Sequence, residues 1–158
     1  MSDPKLIRDG NLRFACLSGL GWPIAPLTVS VEVRRLATQQ GGTPQGPIQV
    51  FIAGAPDNEP PAAWECHIGL ACTGMPKPGG QSADGQRLMI EDYRNLVALT
   101  VPHRGPVREL GQTWQRLADH AKTLGHRLRP YWRVILRRKQ LADGNILPSA
   151  DVAVFLDQ

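Results

Sequence analysis

The chain has 158 residues and a mass of 17.3 kDa, enough for one compact domain or two small fused units. Hydrophobic residues make up 42% and charged residues 20%, which excludes wholesale disorder, and no unbroken apolar run is long enough to span a bilayer as a helix. The net charge of +4 tolerates anionic partners but is too mild to diagnose nucleic-acid binding. The first residues carry an acid and a proline where a secretory signal would carry basic residues and an apolar core. Three cysteines are an odd number for a disulfide framework. The expectation is a cytoplasmic protein in a reducing compartment, with no membrane partner.

In chain order, residues 12–17 read as a strand and residues 18–21 as a turn. Residues 27–37 are ambiguous: Val29, Val31 and Val33 alternate as in a strand, whereas Val29, Val33, Leu36 and Ala37 share a helical face, with Gly41 and Gly42 as a stop. A helix is predicted here because the second half of the chain has one at the matching place. Residues 48–52 follow a Gly46–Pro47 break and read as a strand, and residues 64–70 alternate strictly. Residues 73–86 are rich in glycine and proline and predict a loop dividing the chain.

The second half is clearer. Residues 96–101 read as a strand, and residues 102–106 as a turn whose last proline suits the first helical position. Val107, Leu110, Trp114, Leu117, Ala121 and Leu124 recur every three or four residues, placing them on one helical face, and Gly125 supplies the stop. Residues 131–136 and 151–156 read as strands, with Gly144 and Pro148 breaking the chain between them. Both halves thus read strand, helix, strand, strand.

With these segments in that order, the chain resembles the GyrI-like small-molecule-binding domain, the effector-binding module of AraC-type and MerR-type regulators, in its stand-alone form. The strongest matching segment is residues 97–106, ending His103-Arg104-Gly105-Pro106, with the amphipathic helix behind it; residues 46–51, 64–70 and 151–156 support it. The resemblance implies an α+β fold of tandem duplicated strand-helix-strand-strand units, about 10–73 and 87–158, joined by a loop at 74–86. Their strands would form a curved antiparallel sheet with the helices on one face and a ligand groove between the units. The sequence departs from the family where a glutamate and a tyrosine often follow the second helix: Arg133 and Ile135 stand there, and Gln49 and Phe51 in the first unit.

Candidate site residues follow from strand alternation. Trp64, Cys66, Ile68 and Leu70 share one face, so Glu65, His67 and Gly69 take the other, toward the groove if the apolar set packs on a helix. Glu65 is the candidate charge partner of a ligand. Trp22, Phe51, His67, Arg133, Asp151 and Phe155 are candidate walls, with Arg133 able to pair with Glu65 or Asp151 or to recruit an anionic ligand. His103 and Arg104 are read as a structural turn, Trp114 and the three cysteines as core, and His120 and His126 as solvated. Cys66 and His67, adjacent on a strand, point opposite ways and cannot comfortably share a metal, so neither a metal nor a cofactor is expected. The Gly19-Leu20-Gly21 segment lacks the third glycine and the strand–helix alternation of a dinucleotide site. The basic, aromatic run 127–133 with Arg137, Arg138 and Lys139 is read as a charged, solvated sheet edge and not as a direct nucleic-acid surface.

The function expected is binding of a hydrophobic ligand, neutral or charged, in the groove, with a separate regulator needed for any transcriptional role. An interaction protein modulating DNA gyrase is the alternative. Hydrolysis of strained natural products, with Glu65 as general base, is the third reading.

Overall fold

The computed structural model describes residues 3–137 and 146–157, and among them six strands and two α-helices. The strands are β1 (Lys5–Leu20), β2 (Gly42–Ala53), β3 (Glu65–Gly74), β4 (Met89–Pro106), β5 (Arg127–Leu136) and β6 (Ile146–Asp157). The helices are α1 (Pro26–Gln39) and α2 (Leu110–Thr123). All neighbouring strands are antiparallel, in the order β1-β3-β2-β5-β6-β4, and β4 pairs back onto β1. The expected α+β fold with a curved antiparallel sheet and both helices on one face is therefore present. Its curvature carries through until the sheet closes.

Closure is possible because β1 and β4, at 16 and 18 residues, run well past the segments read from sequence. The expected turns at 18–21 and 102–106 are mostly strand: Ser18 to Leu20 pair with β3, and Pro102, His103, Gly105 and Pro106 with β6. The Gly46–Pro47 break is an irregularity inside β2, between Gln45 and Gln49, with Gly46 at φ +80°. Pro148 lies within β6, and Gly144 falls outside the described residues. The basic run 127–133 belongs to β5, which pairs with both β2 and β6. It is thus an interior strand and not the solvated edge expected; Arg138 and Lys139 lie outside the described residues.

The ambiguous segment 27–37 is helical. Pro26 opens α1, where its fixed φ and missing N–H carry no penalty. The helix buries Pro26, Ser30, Val33, Leu36 and Ala37, at spacings of one to four, while Val31 is left exposed. Strand-like local composition yields to a helical stripe that can cover Ala15, Leu17, Leu70 and Cys72. Helix α2 carries most of the face expected, burying Leu110, Leu117 and Ala121 behind the buried Val107, with Trp114 half-buried; Leu124, expected on the same face, follows the last helical residue and is exposed. Gly125, at φ +81°, terminates it.

Strand alternation sorts the side chains into two sets. Val50, Ile52, Cys66, Ile68, Val97, Leu99, Trp132, Val134, Val152 and Val154 pack under α2 and its surroundings. The opposite face is also buried and gathers Phe14, Cys16, Phe51, Leu96, Ala98, Ala153 and Phe155, with Tyr93 and Tyr131 against them. This second, inner face is what a closed sheet encloses.

Candidate functional site on the inner face

One transverse row of the sheet defines the site. Ser18 on β1 pairs with His67 on β3, His67 with Phe51 on β2, Phe51 with Arg133 on β5, and Arg133 with Ala153 on β6. Directly paired residues of an antiparallel sheet point the same way, so His67, Phe51 and Arg133 stand side by side on the inner face.

Aromatic rings fill the middle. Phe51 stacks on Tyr93 at 4.2 Å between centroids and 7° between planes, and on Phe155 at 5.8 Å and 9°. Phe14 lies 4.9 Å from Phe51, and Tyr131 lies 5.1 Å from Tyr93 and 5.3 Å from Phe155. Ring pairs in these geometries contribute about 0.5–1.5 kcal/mol each beyond the area they bury.

Arg133 lies beside this stack. Its side chain is 4% exposed, and its guanidinium carbon stands 5.2 Å from the Phe155 centroid and 5.9 Å from that of Phe51. Nη2 meets Asp9 Oδ2 at 2.8 Å and Nη1 donates to Gln49 Oε1 at 3.4 Å, while buried Nε has no partner among the described residues. Burial pulls the Arg133 pKa down, and the hydrogen bond and charge of Asp9 oppose it. Neither carboxylate considered from sequence is its hydrogen-bonded partner: Asp151 is held by Arg137 at 2.6 Å, and Glu65 approaches His67 at 3.3 Å. A recess of about 240 Å³ beside Arg133 is lined by residues that include Asp9, Leu12, Gln49, Ile135 and Arg137.

A second polar cluster surrounds His67. Nδ1 meets Glu91 Oε1 at 2.8 Å and Nε2 meets Glu65 Oε1 at 3.3 Å, so both ring nitrogens face carboxylates. The Cys16 thiol donates to the same Glu91 oxygen at 3.1 Å. The hydrogen bond to Glu91 raises the His67 pKa against the opposing effect of partial burial. Burial alone would raise the Glu91 pKa; the hydrogen bonds and charge of His67, with Cys16 and Tyr93, outweigh it and hold the carboxyl below its ordinary range. Burial pushes the thiols of Cys16 and Cys66 up, Cys66 to about 12, so both are protonated at neutral pH.

A raised imidazole pKa stabilises the fold below the unfolded-state value of about 6.5 and ceases to do so as pH rises through the folded-state value. With EDTA present, urea stability should therefore fall as pH rises above about 6.5, by an amount that Glu91→Gln reduces. An unchanged pH dependence in Glu91→Gln would show that His67 is not held by Glu91.

Six of the seven candidate residues, Glu65, Phe51, His67, Arg133, Asp151 and Phe155, thus fall on the inner-facing alternation, with Glu65 at its exposed rim, its side chain 64% exposed. Trp22 does not join them. It lies beyond β1, packs against the α2-side core and lines a separate recess with Ile24, Pro61 and Ile146. His103 ties the end of β4 to α2 through Thr113 Oγ1 at 2.8 Å, a structural role as expected. His120 and His126 are half-buried, less solvated than expected. Asp9, Cys16, Glu91, Tyr93 and Tyr131 had not been placed in the site from sequence. Glu91 and Tyr93 carried a usable signal, a two-residue spacing just before the apolar run of β4.

No family profile and no curated protein matches the chain by sequence. Solved structures do match. The C-terminal domain of EcmrR aligns with a TM-score of 0.68 at 12% identity, over 99% of this chain and 98% of that one. A hydrolase encoded by lin2189 from Listeria innocua aligns at 0.61 and 11% identity, over 98% and 92%. SAV2435 bound to tetraphenylphosphonium aligns at 0.54 and 9% identity, over 99% and 94%. At such identities the likeness is one of fold. The protein has the fold expected from the resemblance to GyrI-like domains, shared with the EcmrR C-terminal domain and SAV2435.

Proposed function

We propose that this protein binds a hydrophobic small molecule on the inner face of its sheet, and that the ligand carries an anionic or hydrogen-bond-accepting group that meets Arg133. The observation that carries this reading is Arg133 itself: a buried guanidinium over two aromatic faces, with, among the described residues, one N–H unpaired and a single carboxylate in ion-pair contact. A sheet stabilised only by packing would gain as much from an aliphatic side chain there, without the desolvation cost of a charge. Since Arg133 already occupies the ring faces, a lipophilic cation would have to displace it. A carboxylate could instead replace Asp9 on the guanidinium. The recess of about 240 Å³ is smaller than pockets for drug-sized ligands, so binding requires the Asp9–Arg133 pair to move. In this reading Phe51 and Phe155 are walls, Glu65, His67 and Asp151 stand around the site, and the two halves are repeats of one unit.

The fold likeness to SAV2435, solved with tetraphenylphosphonium, supports a small-molecule ligand in general. The hydrolase likeness is the weaker support for an enzyme, because a general base gains from a water-excluded position and Glu65 is largely exposed. Nothing in the fold or its likenesses supports DNA gyrase as a partner.

A thermal-shift panel of lipophilic carboxylates, lipophilic cations and neutral aromatics tests the reading. Carboxylates should raise the melting temperature, corresponding to about 2.7 kcal/mol at a hundredfold excess over Kd. The shift should vanish in Arg133→Met and persist in Glu65→Gln. Stabilisation by cations alone would reverse the assigned charge, and a flat panel would remove the binding role.

A further inference from the structure

The cluster at the His67 end carries an inference independent of the ligand reading at Arg133. Cys16, His67 and Glu91 come from three strands and are 51 and 24 residues apart in sequence, yet their donor atoms all lie within 4.8 Å of one another. Strand register produces this. On the central strand β1, Cys16 pairs with Gly69 of β3 and Met89 of β4. His67 and Glu91 each stand two residues along from those partners, in the diagonal positions on the same face. Gly69, opposite the cysteine, puts no side chain between them.

We propose that Cys16 Sγ, His67 Nδ1 and Glu91 Oε1 form a binding site for a borderline divalent transition metal, Zn²⁺ by preference, with Glu65 orienting the histidine from outside. A thiolate, an imidazole and a carboxylate suit zinc, whereas calcium and magnesium take oxygen donors. At zinc bond lengths a tetrahedral site separates its donors by roughly 3.3–3.7 Å. The observed 2.8 Å from His67 to Glu91 and 3.1 Å from Cys16 to Glu91 each need to open by about half an ångström. On binding, the thiol proton and the Nδ1 proton that bridge to Glu91 leave to solvent, and one dication takes their place.

The second observation is Glu65. It meets Nε2, the nitrogen left over, at 3.3 Å. A metal-bound histidine characteristically donates its other N–H to a carboxylate, which sets its tautomer and raises its basicity. A hydrogen-bonded hub needs no such partner on the far side of the ring. The site is also reachable: the side chains of His67 and Glu91 are 15% and 26% exposed, although Cys16 is fully buried. Three protein ligands leave a fourth position for water, the arrangement of an open zinc site.

The test uses the full chain, kept reduced, stripped with a chelator and titrated with Zn²⁺ and separately with Co²⁺. Expected are one ion per chain, a rise in melting temperature, and with cobalt a thiolate charge-transfer absorption. That absorption should disappear in Cys16→Ser and persist in Cys66→Ser, since Cys66 packs on the opposite face. Glu65→Gln should keep the absorption and weaken affinity 10–100-fold. His67→Ala, at a partly exposed position, should abolish binding and supplies a second ligand test if Cys16→Ser folds poorly. Substoichiometric metal in the wild type, or cobalt absorption surviving in Cys16→Ser, would overturn the site.

Discussion

Gly69→Ala is expected to destabilise the protein by at least about 3 kcal/mol, lowering the melting temperature by roughly 6–12 °C. A Cβ at Gly69 would run into the carbonyl oxygen of Ala15 and lie 2.8 Å from the Cα of Cys16. Both are backbone atoms of β1, so no rotamer change relieves the contact. The β1–β3 ladder itself must part, and β1 also carries the pairing with β4 that closes the sheet. Gly111→Ala provides the contrast. Its Cβ would meet only Pro56 Cβ at an ordinary 3.6 Å, and removing a glycine from α2 should stabilise by about 0.5 kcal/mol. Urea denaturation of both variants checks the pair. Equal, small effects would mean that β1 and β3 are less tightly apposed than described.

Asp9→Ala should cost about 2 kcal/mol, less than the 3–5 typical of a fully buried pair because the Asp9 side chain is 34% exposed. The loss comes from leaving the Arg133 guanidinium buried with a neutral acceptor, Gln49, and two ring faces. Adding Arg133→Met removes the stranded charge and places a flexible apolar side chain against Phe51 and Phe155. The double variant should recover to within about 1 kcal/mol of the wild type. Urea midpoints of the wild type, the singles and the double measure this. If the double variant were as unstable as Asp9→Ala, Arg133 would hold the fold by its packing and hydrogen bonds, and its assignment as the ligand's charge partner would weaken with it.

The alternation of residues 64–70 was enough to separate Cys66, Ile68 and Leu70 from Glu65 and His67, and the two sets do lie on opposite faces. Alternation also put Asp151 with Ala153 and Phe155. It works because a strand's side-chain period is two whatever the strand packs against. Trp22 lies apart from the others because its assignment rested on its place in the first unit, similar to that of the aromatic that commonly follows the Gly–Pro turn of the family, with no periodicity to orient it. The lengths of β1 and β4 were hidden by composition: residues 5–11 and 89–95 are polar or mixed, and each pairs with the apolar run of the other strand, as Arg8 does with Val97 and Glu91 with Phe14, 89 and 77 residues apart in sequence.

Local sequence by itself determined the second helix and the two faces of residues 64–70, because each rests on a periodicity confined to about a dozen residues. Whether residues 27–37 would be helix or strand was nearly even until Val33, Leu36 and Ala37 met the sheet. The partners of the charged groups were decided only by the tertiary structure. Arg133 meets Asp9 from 124 residues away, and His67 meets Glu91 across β1, because closure of the sheet brings together faces that no local period relates.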